Sequence, residues 1–399
     1  MTSNTQPRAG TLRSFFPDDW GLLLASFGYS QAIGLIIYWT LPLFAGALGT
    51  WLGLTATQVG LVGTIEFAGL FLGSVALAPF MHRVSRRKTA WLAAGTVVLA
   101  NIGCAVLPLS FSTLIALRLL SGLGCGAALS IGNATMASSA DPDSTSGHVT
   151  LLLIALMIVL QPVEAAISAQ LGLRAVFWGY VVIVALASLS AFFVPEPARD
   201  EPVHTAAEPS AVSPLRSASG ILLISVALLF GLRDTLPWLV TEKIGTDAGL
   251  SVQQVGTVLS AMYAVSALGP MLQLVLARRM PSHWLLATGI LGAGLFLGMF
   301  TWANGSAIRF IIGVVAWATI YFLAYAQLYA AAALFDRSGR VASAAGGAFI
   351  AGVAIAPSVG GILVDQGGFD AMGYAEVALT VVMVVCSLCV RTTRDGAPV

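Results

Sequence analysis

Charge is the scarcest property of this sequence. Only 9% of its 399 residues are Asp, Glu, Lys or Arg, against about 25% in a soluble globular chain. There is too little polar surface to cover a water-soluble particle of this size. That excludes a soluble enzyme and a disordered chain. The few charges balance, with 19 Lys and Arg against 18 Asp and Glu, so no global field draws in a polyanion and nucleic acid is not an expected partner. Cysteine is sparse too. Cys104, Cys125, Cys386 and Cys389 all lie in apolar runs and build no disulfide scaffold. Cys386 and Cys389 have C-x-x-C spacing, but on an apolar segment without a second pair they read as inert. The four histidines, His82, His148, His204 and His283, fall at or near loops and form no metal cluster. No phosphate-cradling glycine loop ending in Lys-Ser/Thr is present, so ATP-driven chemistry has no support. Neither a cofactor nor a metal is expected.

What the sequence has in abundance is apolar length. Apolar residues make up 57% of it and its mean hydropathy is +0.89. A membrane span needs roughly 20 such residues, because the hydrocarbon core is ~30 Å thick and a helix rises ~1.5 Å per residue. Twelve segments qualify, near 20–46, 55–80, 89–109, 112–138, 148–171, 175–195, 218–241, 251–277, 284–303, 308–335, 341–365 and 371–390. They lack strand-like alternation, so helices are the expected spanning form. Residues 1–20 are polar, with no cleavable signal pattern. Placing the N-terminus inside puts 14 of the 19 cations in cytoplasmic segments: Arg8, Arg13, Arg83, Arg86, Arg87, Lys88, Arg199, Arg216, Arg278, Arg279, Arg337, Arg340, Arg391 and Arg394. That bias sets both termini in the cytoplasm, as an even number of spans requires, in a multi-pass protein of the cell's inner (plasma) membrane.

The two halves of the chain repeat. Leu54 to Gly60 opens segment 2, and Leu250 to Gly256 opens segment 8 with the same Gln-Val-Gly ending, 196 residues later. Leu41-Pro42 matches Leu236-Pro237, Pro162 matches Pro357 and the basic loop at Arg83 matches that at Arg278, all at an offset of 195; Arg118 and Gly122 match Arg309 and Gly313 at 191. Between the halves, residues 195–216 hold five prolines and mixed charge and read as a linker. The expected domains are a six-helix bundle over 1–194, a cytoplasmic linker over 195–216 and a second bundle over 217–399. A parallel repeat of six spans implies a two-fold along the membrane normal and a substrate site between the bundles near the midplane.

Local motifs carry a family resemblance. The loop after segment 2 reads Ala78-Pro-Phe-Met-His82-Arg83-Val-Ser85-Arg86-Arg87. It resembles the Gly-x-x-x-Asp-Arg-x-Gly-Arg-Arg loop of the major facilitator superfamily, with Arg83, Arg86 and Arg87 matching and Ala78, His82 and Ser85 departing. Segment 4 reads Arg118-Leu-Leu-Ser-Gly122-Leu-Gly124-Cys-Gly126, and segment 6 runs from Leu173-Arg174 and Phe177 to Val194-Pro195-Glu196; both are similar to that superfamily's patterns. The 12-helix drug:proton antiporter branch is the nearest likeness. Its Gly-Pro-x-x-Gly-Gly signature appears in segment 5 as Gln161-Pro162-Val-Glu164-Ala165-Ala166, and a better copy sits in segment 11 as Ala356-Pro357-Ser-Val-Gly360-Gly361. The resemblance implies an all-α membrane protein of 12 transmembrane helices in two six-helix bundles, a proton-coupling role for Arg118, and a conformational latch at His82, Arg83, Arg86 and Arg87. A histidine where the superfamily has Asp makes that latch weaker or pH-sensitive.

Ionisable residues inside spans are the informative positions, since each costs ~2.5–3.5 kcal/mol at the bilayer centre on insertion scales. Glu66, Arg118, Glu164, Arg233 and Asp234 lie deep; Arg309 and Glu376 lie nearer helix ends. For each, a structural ion pair competes with a functional role. Arg233 and Asp234 point ~100° apart on a helix and need not pair. Coupling to protons needs a group that changes charge near neutral pH, and a carboxylate in a partly dry cavity is suited to this. Glu66 is the first candidate, central and without a charged repeat partner, since its counterpart is Met262. Glu164 follows, beside the helix-loosening Pro162, with Arg118 tuning whichever is nearer and Asp234 in reserve. Candidate substrate contacts are Tyr29, Gln31, Tyr38 and Trp39 in segment 1 and Arg233 and Trp238 in segment 7, aromatic faces with a few polar tips. The two tryptophans compete with a role as interfacial anchors. Glycines Gly69, Gly73, Gly122, Gly124 and Gly126 read as close-packing positions.

The resulting expectation is a monomeric secondary transporter, not an enzyme, whose partners are a small molecule, protons and lipid. Proton-coupled export of an organic or drug-like molecule competes with proton-coupled or facilitated import of a small organic anion held by Arg118 and Arg233. A membrane enzyme lacks any catalytic constellation, and a receptor built on an inactive transport fold would not need the deep charges.

Overall fold

The computed structural model describes residues 19–77, 80–81, 83–196, 214–336 and 340–390, with the side chain of Asp143 excepted. His82 and most of the expected linker lie outside these residues. Among them, every regular element is a helix. In lipid, a backbone must satisfy its own hydrogen bonds, and a helix does so within one segment.

The spans are α1 (Trp20–Leu52), α2 (Ala56–Leu77), α3 (Arg86–Val106), α4 (Phe111–Ala137), α5 (Pro142–Leu171), α6 (Leu173–Phe193), α7 (Ala218–Asp247), α8 (Val252–Leu276), α9 (Ser282–Thr301) and α10 (Ala307–Phe335). A continuous helical stretch, Arg340–Cys389, follows. At 50 residues it would reach about 75 Å, more than twice the hydrocarbon thickness. It is broken at Gly367 (φ −147°) and Gly368 (φ +65°). The left-handed φ of Gly368 is one that a side chain rarely adopts. The break yields α11 (340–366) and α12 (369–389), completing the twelve spans. The largest boundary differences from the sequence are at polar ends. α1 continues through Gly49 to Leu52, α5 begins at Pro142 rather than near 148, and α7 continues to Asp247. The early start of α5 has a local cause: Asp141 accepts from the Ser144 N–H (3.0 Å) and Pro142 takes the first helical position, where its missing donor costs nothing. Side-chain oxygens of Ser85, Ser110, Ser217, Ser251 and Ser306 cap other helices in the same way.

α1 begins and α12 ends at one face, here the near face; the other is the far face. Helices α1–α6 and α7–α12 form two bundles. Large apolar side chains such as Leu92, Leu99, Leu151, Leu186, Leu274 and Leu295 stand exposed on the outside, as a lipid boundary requires. Inside the first bundle, α2 and α4 cross almost backbone to backbone. A Cβ on Gly69 would meet the Leu119 carbonyl, and ones on Gly122 and Gly126 would meet the carbonyls of Glu66 and Leu70. Gly124 instead faces Ala93, Thr96 and Val97 of α3.

The bundles meet along two seams that the repeat relates. Gly60 of α2 packs on the Pro357 carbonyl of α11, and its repeat partner Gly256 of α8 packs on Gln161, Pro162 and Ala165 of α5. Pro162 and Pro357 are themselves repeat partners. One kind of contact is thus made twice, with the bundles exchanging roles. Hydrogen bonds between the bundles lie from the middle to the far face. Ser358 N–H donates to Thr64 Oγ1 (3.0 Å), Gln253 Nε2 to the Pro162 carbonyl (3.0 Å), and Ser260 Oγ to the Ile158 carbonyl (2.6 Å). The far face is closed.

Candidate functional site

Pro42 shapes the middle of α1. It lacks an N–H, so the carbonyl of Tyr38, four residues earlier, loses its helical donor. Trp238 of the other bundle supplies one, its Nε1 donating to the Tyr38 carbonyl at 2.9 Å. The next carbonyl, Trp39, accepts from Gln161 Nε2 (2.9 Å) and from Tyr263 Oη (3.0 Å). These bonds fix the α1 aromatics at the midplane between the bundles. Below them, toward the near face, lies a cavity of about 260 Å³. Gln31, Tyr38 and Trp39 of α1, Phe67 of α2, Tyr321 and Tyr325 of α10 and Phe349 of α11 form most of its upper wall; Ser146, exposed near the start of α5, marks its mouth. The cavity is therefore sealed from the far face and open toward the near face. None of its lining residues is charged. Its polar points are neutral: Tyr38 Oη and Tyr321 Oη lie 3.4 Å apart, and Gln31 Oε1 accepts from Trp39 Nε1 at 3.1 Å.

Three of the six expected substrate contacts, Gln31, Tyr38 and Trp39, line this cavity. Three do not. Tyr29 is fully buried inside the first bundle, where its hydroxyl reaches the Ser188 carbonyl (3.4 Å). It precedes Gln31 by two positions and so faces roughly the opposite way. Trp238 sits behind the wall, 5.7 Å from Trp317 ring to ring; it is an inter-bundle brace and not a membrane-surface anchor. Arg233 is buried in the second bundle, and it pairs with its neighbour although the helical wheel does not require it. Its guanidinium folds back to meet both oxygens of Asp234 at 2.7–2.9 Å. Its Nη1 donates to the Ile290 carbonyl (3.0 Å), and Trp317 Nε1 donates to Asp234 (2.8 Å). The aromatic cavity residues missing from the sequence reading are Phe67, Tyr321, Phe322, Tyr325 and Phe349. A signal existed for two of them: Tyr321, Tyr325 and Tyr329 recur every four residues, an aromatic stripe on one face of α10.

The buried charges form separate groups within each bundle. Arg118 reaches Glu66 (Nη1 to Oε1, 3.2 Å) and Asn101 (Nη2 to Oδ1, 3.0 Å), and lies over the Phe177 and Phe44 rings at 5.2 and 5.8 Å. Glu66 thus has a fixed opposite charge, from another helix, and sits within the bundle rather than on the cavity wall. Its Oε2 has no hydrogen-bond partner. Glu164 is different. Its Oε1 accepts from Tyr180 Oη (2.6 Å), which in turn contacts Thr40 Oγ1 (2.9 Å), while Oε2 is unpartnered. No cation lies in this chain of groups, and Thr40 directly follows the cavity residues Tyr38 and Trp39. In the second bundle both Glu376 oxygens contact only the Thr301 hydroxyl, at 3.0 and 3.1 Å. Arg309 is exposed at the far end of α10. Among the described residues, no group of His, Cys, Asp and Glu is placed to hold a metal ion.

Arg86 and Arg87 of the basic loop bond within the first bundle. Arg86 Nη1 donates to Ser138 Oγ at the end of α4 (3.2 Å), and Arg87 Nη2 to the Val194 carbonyl after α6 (3.3 Å). Glu196 closes the set, accepting from Ser85 Oγ (2.7 Å) and from the Arg86 N–H (2.9 Å). It thereby places negative charge at the N-terminus of α3, where the helix dipole favours it.

Two repeat-related bundles around a cavity that opens to one face define a membrane transporter of the alternating-access kind. The profile of the Major Facilitator Superfamily matches residues 22–233 and 221–399, and the chain belongs to that superfamily. Solved structures with this fold include the nucleoside transporter NupG, with a TM-score of 0.71 and 12% identity over 93% of this chain and 98% of that one. A D-xylose-proton symporter follows at a TM-score of 0.69 and 14% identity, covering 92% and 94%. A bacterial homolog of the human lysosomal transporter Spinster, in an inward-facing and occupied conformation, gives 0.70 and 16%, covering 92% and 94%. At these identities the likeness is one of fold. No curated protein sequence matches the chain.

Proposed function

We propose that this transporter exports a small, drug-like organic molecule with aromatic character, neutral or cationic, in exchange for protons. The carrying observation is the cavity between the bundles, walled by aromatic rings and neutral polar tips and lined by no charged side chain. Such walls suit aromatic bodies through stacking and edge contacts, and weakly hydrated cations through ring faces. Import of an organic anion is the weaker reading, because the two arginines it relied on, Arg118 and Arg233, are each committed inside a bundle. The export direction draws on the drug:proton antiporter likeness of the Gly-Pro-x-x-Gly-Gly signature, whose better copy is in segment 11. In this reading both termini are cytoplasmic, the membrane is the plasma membrane and the near face opens inward. The domains are the bundles 1–194 and 217–399, joined by residues 195–216, and a monomer is the working unit.

For coupling, Glu164 has the better geometry. It can take up and release a proton without breaking an ion pair, and the Tyr180–Thr40 chain leads from it to the cavity wall. Glu66 can do so only by disturbing Arg118, so it serves as a second, conformation-linked site, with Asp234 held in reserve by Arg233. In liposomes with an imposed pH gradient, wild-type protein should move protons when an aromatic amine is added. Glu164→Gln should abolish that flux and leave binding within about threefold, a difference of under 1 kcal/mol. Full proton movement in Glu164→Gln together with its loss in Glu66→Gln would return the main role to Glu66.

A further inference from the structure

The far face holds a second cavity, of about 510 Å³, where α1, α2, α7, α8 and α11 converge just outside the seal. That volume is within the range of small-molecule sites. Its walls are mostly apolar, including Leu54, Val59, Leu239 and Val252. Five lining side chains are polar or charged: Thr50, Thr246, Lys243, Asp365 and Glu242. Glu242 is only 6% exposed and, among the described residues, forms no hydrogen bond or ion pair. Its carboxylate presses on the bare backbone of α1 across the inter-bundle seam, and any Cβ at Gly46 would collide with it. The glycine leaves room for the carboxylate.

The other charges nearby are engaged elsewhere. Lys243 pairs with Asp247 at 3.3 Å, both more than half exposed. Asp365 accepts the N–H groups of Ala56 and Thr57 at 3.2 and 2.7 Å. Three carboxylates thus stand against one ammonium. An uncompensated carboxylate between apolar walls is costly, and a cation in the cavity would offset that cost. A metal ion is a poor match, since it needs about six oxygen ligands, and beyond Glu242 the wall offers the Thr50 hydroxyl, a Thr246 hydroxyl that donates to the Lys243 carbonyl (3.0 Å), and the Asp365 carboxylate already engaged by α2. An ammonium with apolar substituents matches both the charge and the walls.

We propose that this far-face vestibule binds organic ammonium ions, with Glu242 as their counter-charge. It would serve as the station from which a cationic substrate leaves, or at which it is held, outside the seal. That role rests on the transport reading, whereas binding itself needs no turnover. The test uses the full chain in phosphatidylcholine nanodiscs with radiolabelled benzyltrimethylammonium as probe. Wild type should bind it saturably. Glu242→Gln should weaken binding about tenfold or more, and Thr246→Arg, which brings a guanidinium to the same carboxylate, should do likewise. Tyr325→Ala in the central cavity should leave the Glu242-sensitive component of binding in place. If Glu242→Gln fails to fold, Thr246→Arg carries the same readout. Absence of saturable binding, or affinity unaffected by both vestibule variants, would overturn the proposal. Affinity lost in Tyr325→Ala alone would also overturn it, placing the cation in the central cavity and leaving the transport reading intact.

Discussion

Arg118 is the residue on which the first bundle's interior depends most. Its guanidinium holds Glu66 and Asn101 and lies over two phenylalanine rings with no exposure to solvent. Breaking a buried pair by removing one partner leaves an uncompensated charge, at a cost of about 3–5 kcal/mol. Arg118→Ala should therefore melt well below wild type in detergent, and Arg118→Ala combined with Glu66→Gln should recover part of the loss. Identical melting of the single and double variants would show that the pair carries no coupling energy. The sequence marked Glu66, Arg118 and Glu164 as deep, because a charge in an apolar run is conspicuous. It could not say who meets whom, since the partners come from helices 52 positions apart for Glu66 and Arg118 and 16 apart for Glu164 and Tyr180. Even neighbours misled. Arg233 and Asp234 diverge as Cα–Cβ vectors, yet a long guanidinium bends back to meet its neighbour's carboxylate.

Asp365 does at the scale of an element what the serine caps do elsewhere, but from the opposite bundle. It sits at the end of α11 and caps α2 through Ala56 and Thr57. An N-cap of this kind contributes about 1 kcal/mol. Because the cap crosses the seam, that energy is available only while the far face is closed. Asp365→Ala should shift the population toward far-side opening by about fivefold. The measurement is the rate at which a cysteine placed at Gln31, in the central cavity behind the seal, reacts with an impermeant maleimide added from the far side. An unchanged rate would mean that the cap does not bias the equilibrium. Helices themselves were the most legible part of the chain, since twelve apolar runs of sufficient length leave few alternatives in a bilayer. Their polar extensions were not, because caps such as Asp141 act through backbone geometry that hydropathy does not register. The break between α11 and α12 was visible as Gly367-Gly368, where one residue must turn left-handed.

For the whole molecule, the decisive surfaces are the two repeat-related seams. Gly60 and Gly361 of the α2–α11 seam allow contact with the Pro357 and Ala56 carbonyls that no side chain could share. Gly60→Ala or Gly361→Ala inserts a methyl group where there is no space, at a cost of about 1–3 kcal/mol to the closed far face. The near face should then close as the far face opens. Spin-label distances across the near face, between the start of α5 and the start of α11, should shorten in either variant; unchanged distances would show that the seam yields locally without moving the bundles. The same seams explain why the repeat was readable from few residues. Two of the matched pairs, Gly60 with Gly256 and Pro162 with Pro357, lie where the bundles touch, whereas the cavity wall differs between the halves.

Confinement of each arginine to its own bundle also bears on how the protein responds to membrane voltage. Moving one elementary charge through the full field is worth about 2.3 kcal/mol per 100 mV. Arg118 travels with Glu66, and Arg233 with Asp234, so rocking one bundle against the other carries paired charges of opposite sign along together. Such dipoles traverse almost none of the potential. The two arginine pairs should therefore contribute little gating current, and voltage sensitivity of turnover should track the unpaired carboxylates, the proton and the cargo.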